Sequence, residues 1–218
     1  MDTGRDCRAR RLVCCGIIRR ALHACKALAS IDVKYTETNL KGVFIIELER
    51  LDDARGFFAR TYCAREFAQQ GLATRWVQAS ISVNLRRGTL RGMHYQAAPN
   101  EEIKLVRCTQ GAIHDVIIDL RADSPTFRHH AAMELTADNR TMLYVPGGFA
   151  HGFMTLADNT EVFYQMSEFH VPSAARGVRW DDPAFAISWP NRPEVISERD
   201  ATYPDFQPEQ NGPGMRGT

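Results

Sequence analysis

The sequence predicts an all-β sandwich or barrel, and three observations carry that expectation. Short apolar runs rich in β-branched and aromatic residues recur along the chain. The breaks between them, "TADN", "PGGFAHG" and "LADN", are built from Asn, Asp, Gly and Pro. These residues favour turns because they tolerate positive φ, cap a turn with a side chain or fix φ. Almost no helical periodicity separates the runs, and no repeat of 20–50 residues is visible, which together indicate one all-β domain.

Each element follows in order. "GVFIIELERL", Gly42 to Leu51, is an apolar run that reads as a strand, and "DDARG" after it reads as a turn. "YCAREFAQQG" predicts a short helix that stops at Gly71, a residue type favoured just past a helix end. "WVQASISVNL" alternates as a half-buried strand does. "IKLVRCTQGAIHDVIIDL" predicts two strands with a turn near Gln110-Gly111, and "HAAMEL", "RTMLYVP", "GFMTL" and "TEVFYQMS" predict four more. From about Asp181 the chain is rich in Pro and charge and is expected to wrap the barrel as loops and short helical turns. Residues 207–218 read as a flexible tail. Residues 1–33 read as a basic appendage, disordered or weakly helical, whose apolar runs are broken by Arg19, Arg20, His23 and Lys26.

Composition narrows the function classes. At 218 residues, 44% hydrophobic and 24% charged, the chain is an ordinary globular one with room for a sizeable core. A formal charge of +1 points neither to nucleic acid nor to an anionic membrane surface. No N-terminal segment is long enough to span a bilayer, and no secretory cleavage site can be placed. Cys7, Cys14, Cys15 and Cys25 crowd one end, leaving Cys63 and Cys108 in the body. That arrangement is neither a disulfide framework nor a set of paired zinc motifs, and it predicts a reducing, cytoplasmic compartment.

Few residues are candidates for chemistry. In "TLRGMHYQAAP", His94 follows Arg91 and Gly92, and Lys104 comes ten residues later. If "QAAPNEE" is a loop between strands, Arg91, His94 and Lys104 converge on one mouth of the barrel, a base beside two cations that suits an anionic ligand. A solvated Arg and Lys on strand edges is the alternative. "PGGFAHGF" reads as a tight turn around His151. Tyr164 falls in a strand, where an interior phenol needs a partner or a ligand and is also able to act as an acid. Gln96 stands where an H-x-H metal pair requires its second histidine, so no metal is expected.

Eight blocks then carry a resemblance: "RGFFARTY", "GTLRGMHYQ", "KLVRCTQGAIHDVIIDLR", "DSPTF", "VPGGFAHGFMTL", "VFYQMS", "RWDDPAFAISWP" and "SERDA". In order and spacing they resemble the dTDP-4-dehydrorhamnose 3,5-epimerase family, nucleotide-sugar 4-keto epimerases, from about Tyr35 to Phe206. The resemblance implies a cupin-type jelly-roll β-barrel with short peripheral helices over residues 34–206. It also implies a homodimer whose subunits share their sites. The ligand is a nucleoside-diphosphate 4-keto-6-deoxysugar, and no cofactor takes part. His94 matches the family's general base, Asp200 the carboxylate paired with it, Tyr164 the phenol that returns a proton from the other face, and Lys104 and Arg91 the cations near enolate and diphosphate. Gln78, His151 and Arg55 match further ligand contacts, with Arg55 entering from the neighbouring chain; Arg199 lies beside Asp200 in the same block.

The implied reaction is inversion at C3 and C5 through enolates. The sequence departs from the family at His170, where a tyrosine is common, at Arg60 for a glutamate, at Ser80 for an asparagine and at Ala175 for a glutamate. The resemblance implies that position 170 borders the sugar and bears on how many carbons are inverted. Position 60 bears on the nucleotide, because a carboxylate accepts from a thymine N–H and an arginine does not. Two alternatives stay open: a mono-epimerase of a dTDP- or CDP-linked sugar, and a non-catalytic sugar-nucleotide-binding cupin.

Overall fold

A computed structural model of the chain describes residues 33–207. The expectations for residues 1–32 and 208–218 lie outside them. Two sheets form the framework. One has the strand order β1 (Val33–Glu37), β2 (Phe44–Leu48), β10 (Met142–Val145), β7 (Lys104–Gln110), β12 (Thr160–Met166) and β5 (Gln78–Asn84). The other runs β13 (Ala175–Gly177), β6 (Thr89–Gln96), β11 (Phe149–Thr155), β8 (Ala112–Asp119) and β9 (His130–Thr136), with β14 (Val195–Ile196) parallel to β6. Between β5 and β12 the chain changes sheet at every connection except β8 to β9. The turn expected at Gln110-Gly111 is therefore a corner between sheets. Gly111 makes it at φ +75°, with Thr160 packed where a side chain would stand. This is the expected jelly roll.

Buried apolar residues explain why the strands stay where they are. Val106, Cys108, Ile113, Ile117, Leu143, Phe153 and Val162 fill the space between the sheets. The second sheet is also covered on its outer face, where Met93, Tyr95, Val116 and Ile118 meet Val178, Phe185, Trp189 and Phe206. β8 is thus buried on both sides, which accounts for its unbroken "DVIIDL" run. Each such side chain, removed from water, contributes about 1.5–3 kcal/mol. Of these, Phe185, Trp189 and Phe206 belong to the C-terminal wrap expected from the sequence.

Helix α1 (Ala64–Gln69) docks through Phe67, which is fully buried with Tyr35, Tyr62, Trp76 and Tyr144 edge-on around it at 4.8–6.4 Å. Gly71 ends it at φ +71°. Helix α2 (Glu198–Ala201) is a single turn whose start is fixed by Ser197, whose Oγ accepts the Asp200 backbone N–H at 3.1 Å.

Residues 48–61 belong to a separate small unit. Within it, β3 (Arg50–Asp53) and β4 (Gly56–Ala59) form a hairpin across the Ala54-Arg55 turn, the turn read from "DDARG". The Asp53 carboxylate accepts the Arg55 backbone N–H at 2.8 Å and pairs with its guanidinium, and the Arg50 guanidinium lies 4.2 Å from the Phe57 ring centroid.

One local expectation is corrected. His151 was expected in a tight turn, but β11 begins at Phe149 and places it within a strand. Gly147 and Gly148 supply the turn, the latter at φ +82°. Gly152 serves a different purpose, since a Cβ there would lie 2.8 Å from the Arg91 carbonyl and 2.6 Å from Met93 Sδ. Its glycine lets β6 and β11 approach closely.

Candidate active site

Arg91 and His94 are three residues apart, a spacing that puts two side chains on opposite faces of a regular strand. Here the ladder between β6 and β11 slips: His151 pairs with His94, but Phe153 pairs with Arg91. Gly92 and Met93 on β6 therefore stand opposite the single Gly152 on β11, a bulge at Gly92, which adopts φ +128° and has Gly152 Cα 2.5 Å from the position of a Cβ. The bulge turns Arg91 and His94 to the same side. Both line a cavity of about 700 Å³.

Three parts of the chain furnish this cavity. The second sheet supplies His94, Arg91 and His151, the first supplies Lys104 and Tyr164, and the α2 turn supplies Ser197, Arg199 and Asp200. His94 Nε2 lies 2.7 Å from Asp200 Oδ1, and the Gly92 backbone N–H donates to Asp200 Oδ2 at 3.3 Å. Asp200 is buried. Burial by itself pushes its carboxyl up, but the bonds from His94, Gly92 and Ser197 outweigh burial and hold it below the usual range. An ionised carboxylate only accepts, so the His94 proton sits on Nε2 and its Nδ1 carries the lone pair.

Lys104 is a buried cation, and two partners fix it. Its Nζ lies 3.0 Å from Glu102 and 3.5 Å from the His94 carbonyl. Tyr164 faces in from β12, between Val106 on β7 and Ser80 on β5. Burial chiefly pushes its phenol above the ordinary value; Arg91 draws it back and Glu102 raises it further. Arg91 donates from Nε to Asn84 Oδ1 at 2.7 Å, and the Asn84 amide is anchored on the Ser82 and Thr160 carbonyls. His151 Nε2 lies 2.6 Å from the fully buried Asp115.

The sequence-derived candidates thus divide into three groups. His94, Asp200, Tyr164, Lys104, Arg91, His151 and Arg199 meet in one cavity. Gln78 and His170 lie outside its lining and are joined to each other, the His170 backbone N–H donating to Gln78 Oε1 at 2.6 Å. Arg55 and Arg60 belong to the hairpin unit. Sequence reasoning missed Asp115, Glu102 and Asn84, the groups that hold His151, Lys104 and Arg91. Asp115 had a signal, a lone carboxylate inside the apolar run "IHDVIID". Gln96, read as marking a missing metal ligand, latches the chain around His170: it accepts from the Val171 N–H at 2.7 Å and donates to the Phe169 carbonyl at 3.1 Å. Among the described residues no group of three or more His, Cys, Asp and Glu side chains is placed to hold a metal ion, and no helix is long and apolar enough to cross a membrane.

Comparison with known proteins bears on this constellation. The family model described as dTDP-4-dehydrorhamnose 3,5-epimerase matches residues 37–208, a span that holds every group in the cavity. The chain belongs to that family. A dTDP-4-dehydrorhamnose 3,5-epimerase of Sinorhizobium fredii is 37% identical over 176 residues, covering 80% of this chain and 90% of the relative. The crystal structure of the Bacillus anthracis epimerase, with TDP and PPi bound, superposes with a TM-score of 0.78 at 39% identity. It covers 80% of this chain and 100% of that one. The Legionella pneumophila dTDP-6-deoxy-D-glucose-3,5-epimerase, in complex with dTDP-4-keto-L-rhamnose, gives a TM-score of 0.73 at 32% identity, covering 78% of this chain and 90% of that one. As a member of the dTDP-4-dehydrorhamnose 3,5-epimerase family the protein is a carbohydrate epimerase, an isomerase.

Proposed function

We propose that this epimerase inverts C3 and C5 of dTDP-4-dehydro-6-deoxy-D-glucose, giving dTDP-4-dehydro-L-rhamnose through enolate intermediates and without a cofactor. One observation carries the proposal: a carboxylate-held histidine on one sheet faces a phenol and a lysine on the other, across a single cavity. The 4-keto group acidifies the hydrogens on both neighbouring carbons. His94 Nδ1 accepts such a proton, and Asp200 steadies the imidazolium that results. Glu102 and the His94 carbonyl take two of the three Lys104 donor directions, so the third serves the enolate oxygen where charge develops. Tyr164, kept protonated by its raised phenol, returns a proton from the opposite side, which is what inversion requires. Arg91, Arg199 and His151 then serve the diphosphate and sugar.

Further parts of the proposal concern the setting. Residues 34–206 form the epimerase domain, which Val33 joins as the first residue of β1. The protein acts as a homodimer: β5 is the last strand of its sheet, and Ile81 and Val83 on it and Leu85 just past its end are exposed apolar residues suited to a second copy. Arg55 reaches the site of that second copy. Cys63 and Cys108 are free thiols, in keeping with a cytoplasmic location.

Deuterium uptake from heavy water at each carbon of the thymidine-linked 4-keto sugar tests the reaction. Uptake at C3 and C5 is expected; uptake at one carbon identifies a mono-epimerase, and uptake at neither overturns the proposal. His94→Ala should lower exchange by about 10²–10⁴-fold, the usual contribution of a positioned base.

A further inference from the structure

A single hydrogen bond fixes one atom of an imidazole but leaves its plane free to swing about that bond. His94 has such a bond to Asp200, yet its side chain remains 42% exposed. A second contact restrains the ring. Tyr203 stands edge-to-face against it, with ring centroids 6.3 Å apart and planes at 72°.

The space for Tyr203 comes from a glycine. Gly177 on β13 is the direct cross-strand partner of His94 on β6. A Cβ on Gly177 would lie 2.1 Å from Tyr203 Cζ and 2.2 Å from Cε2, so the tyrosine ring occupies the volume of the missing side chain. The backbone beneath Tyr203 is pinned. Its carbonyl accepts from Arg179 Nη1 at 3.3 Å, and Arg179 is itself held by Asp181 and Asp205, each at 2.6 Å. α2 ends at Ala201, and Pro204 disfavours a helical conformation at residue 203. The Arg199 guanidinium, a cavity group, lies 5.8 Å from the Tyr203 ring centroid.

We propose that Tyr203, seated in the gap left by Gly177, is a positioning residue that sets the plane of the His94 imidazole and thereby aims Nδ1 at the sugar. This rests on His94 being the base. Tyr203 is not itself part of the cavity lining and touches no reacting atom. It acts through His94, so its loss affects the proton-transfer step and spares ligand binding.

The test uses the full-length protein, with functional sites counted by dTDP titration and turnover expressed per site, so that a misfolded fraction does not enter. Wild-type deuterium exchange tests the reaction separately, and the loss of that exchange in His94→Ala tests the base assignment. Given that exchange, Tyr203→Ala should lower kcat per site by about tenfold or more, with KM and dTDP affinity within about twofold of wild type. Tyr203→Phe, which keeps the ring, should restore kcat to within about twofold. Gly177→Ala should displace the ring and reproduce the Tyr203→Ala defect. The double variant should be no worse than the poorer single one, because both remove the same contact. Wild-type kcat per site in Tyr203→Ala, a Phe variant as poor as Ala, or multiplicative losses in the double variant would each overturn the proposal.

Discussion

At the scale of single residues, the site is a set of reactive groups each held by a second group, and for the two histidines that group comes from a distant part of the chain. His94 meets Asp200 across 106 positions and His151 meets Asp115 across 36. Lys104 and Glu102 are close in sequence, but their pairing depends on both being withdrawn from water. Glu102 also raises the Tyr164 phenol. Glu102→Gln removes that influence, so the alkaline limb of the kcat–pH profile should move to lower pH. A limb that stays in place, or moves up, would detach Glu102 from Tyr164. The reactive groups were legible in the sequence because the eight family blocks mark them. Asp200 was legible by the same blocks, but Asp115, Glu102 and Asn84 were not, because no spacing rule connects residue 115 with residue 151 or residue 84 with residue 91. Tyr203 was hidden for a related reason: its importance depends on a glycine that only strand pairing brings opposite His94.

At the scale of elements, the strands were readable from apolar runs and turn formers, whereas their distribution between sheets was not. "KLVRCTQGAIHDVIIDL" reads equally well as a hairpin within one sheet or as a corner between two, and Gly111 packed against Thr160 settles it as a corner. The β6 bulge was similarly invisible, although it is what puts Arg91 and His94 on one side. The segment after β8 shows how a buried charge is accommodated. Asp119 is fully buried and accepts from Arg121 Nη2 at 2.7 Å, Ser124 Oγ at 2.6 Å and Thr126 Oγ1 at 2.7 Å. Burial pushes this carboxyl up, but the Arg121, Ser124 and Thr126 bonds prevail and hold it low. A carboxyl lowered on folding stabilises the protein above its unfolded pKa of about 4, and that stability is lost as pH falls through the folded value. Asp119→Asn should therefore cost about 3 kcal/mol in urea unfolding at pH 7. The cost should shrink towards pH 3; one that does not vary with pH would show that the charge contributes nothing.

At the scale of the whole molecule, the question is what covers the last strand of the first sheet. Ile81 and Val83 on β5 and Leu85 just past its end lie on alternate positions and are 51–73% exposed, a row of apolar surface at the edge of the sheet that favours pairing with another chain. Sedimentation should give twice the 24.6 kDa chain mass. Leu85→Lys, outside the cavity lining, should shift the protein towards the single chain, and a monomeric wild type would refute the dimer.

The C-terminal position of Asp200 bears on how the enzyme comes into being. A ribosome completes both sheets and the bed of the cavity before it makes the turn that carries this carboxylate. A nascent chain halted after Ile196 already has the histidine, the lysine and the phenol, but it lacks the partner that assigns the histidine its tautomer. Competence for the reaction thus waits on a turn made after the strands of both sheets, and a protease that cuts between β14 and α2 would separate the histidine from its carboxylate in one step.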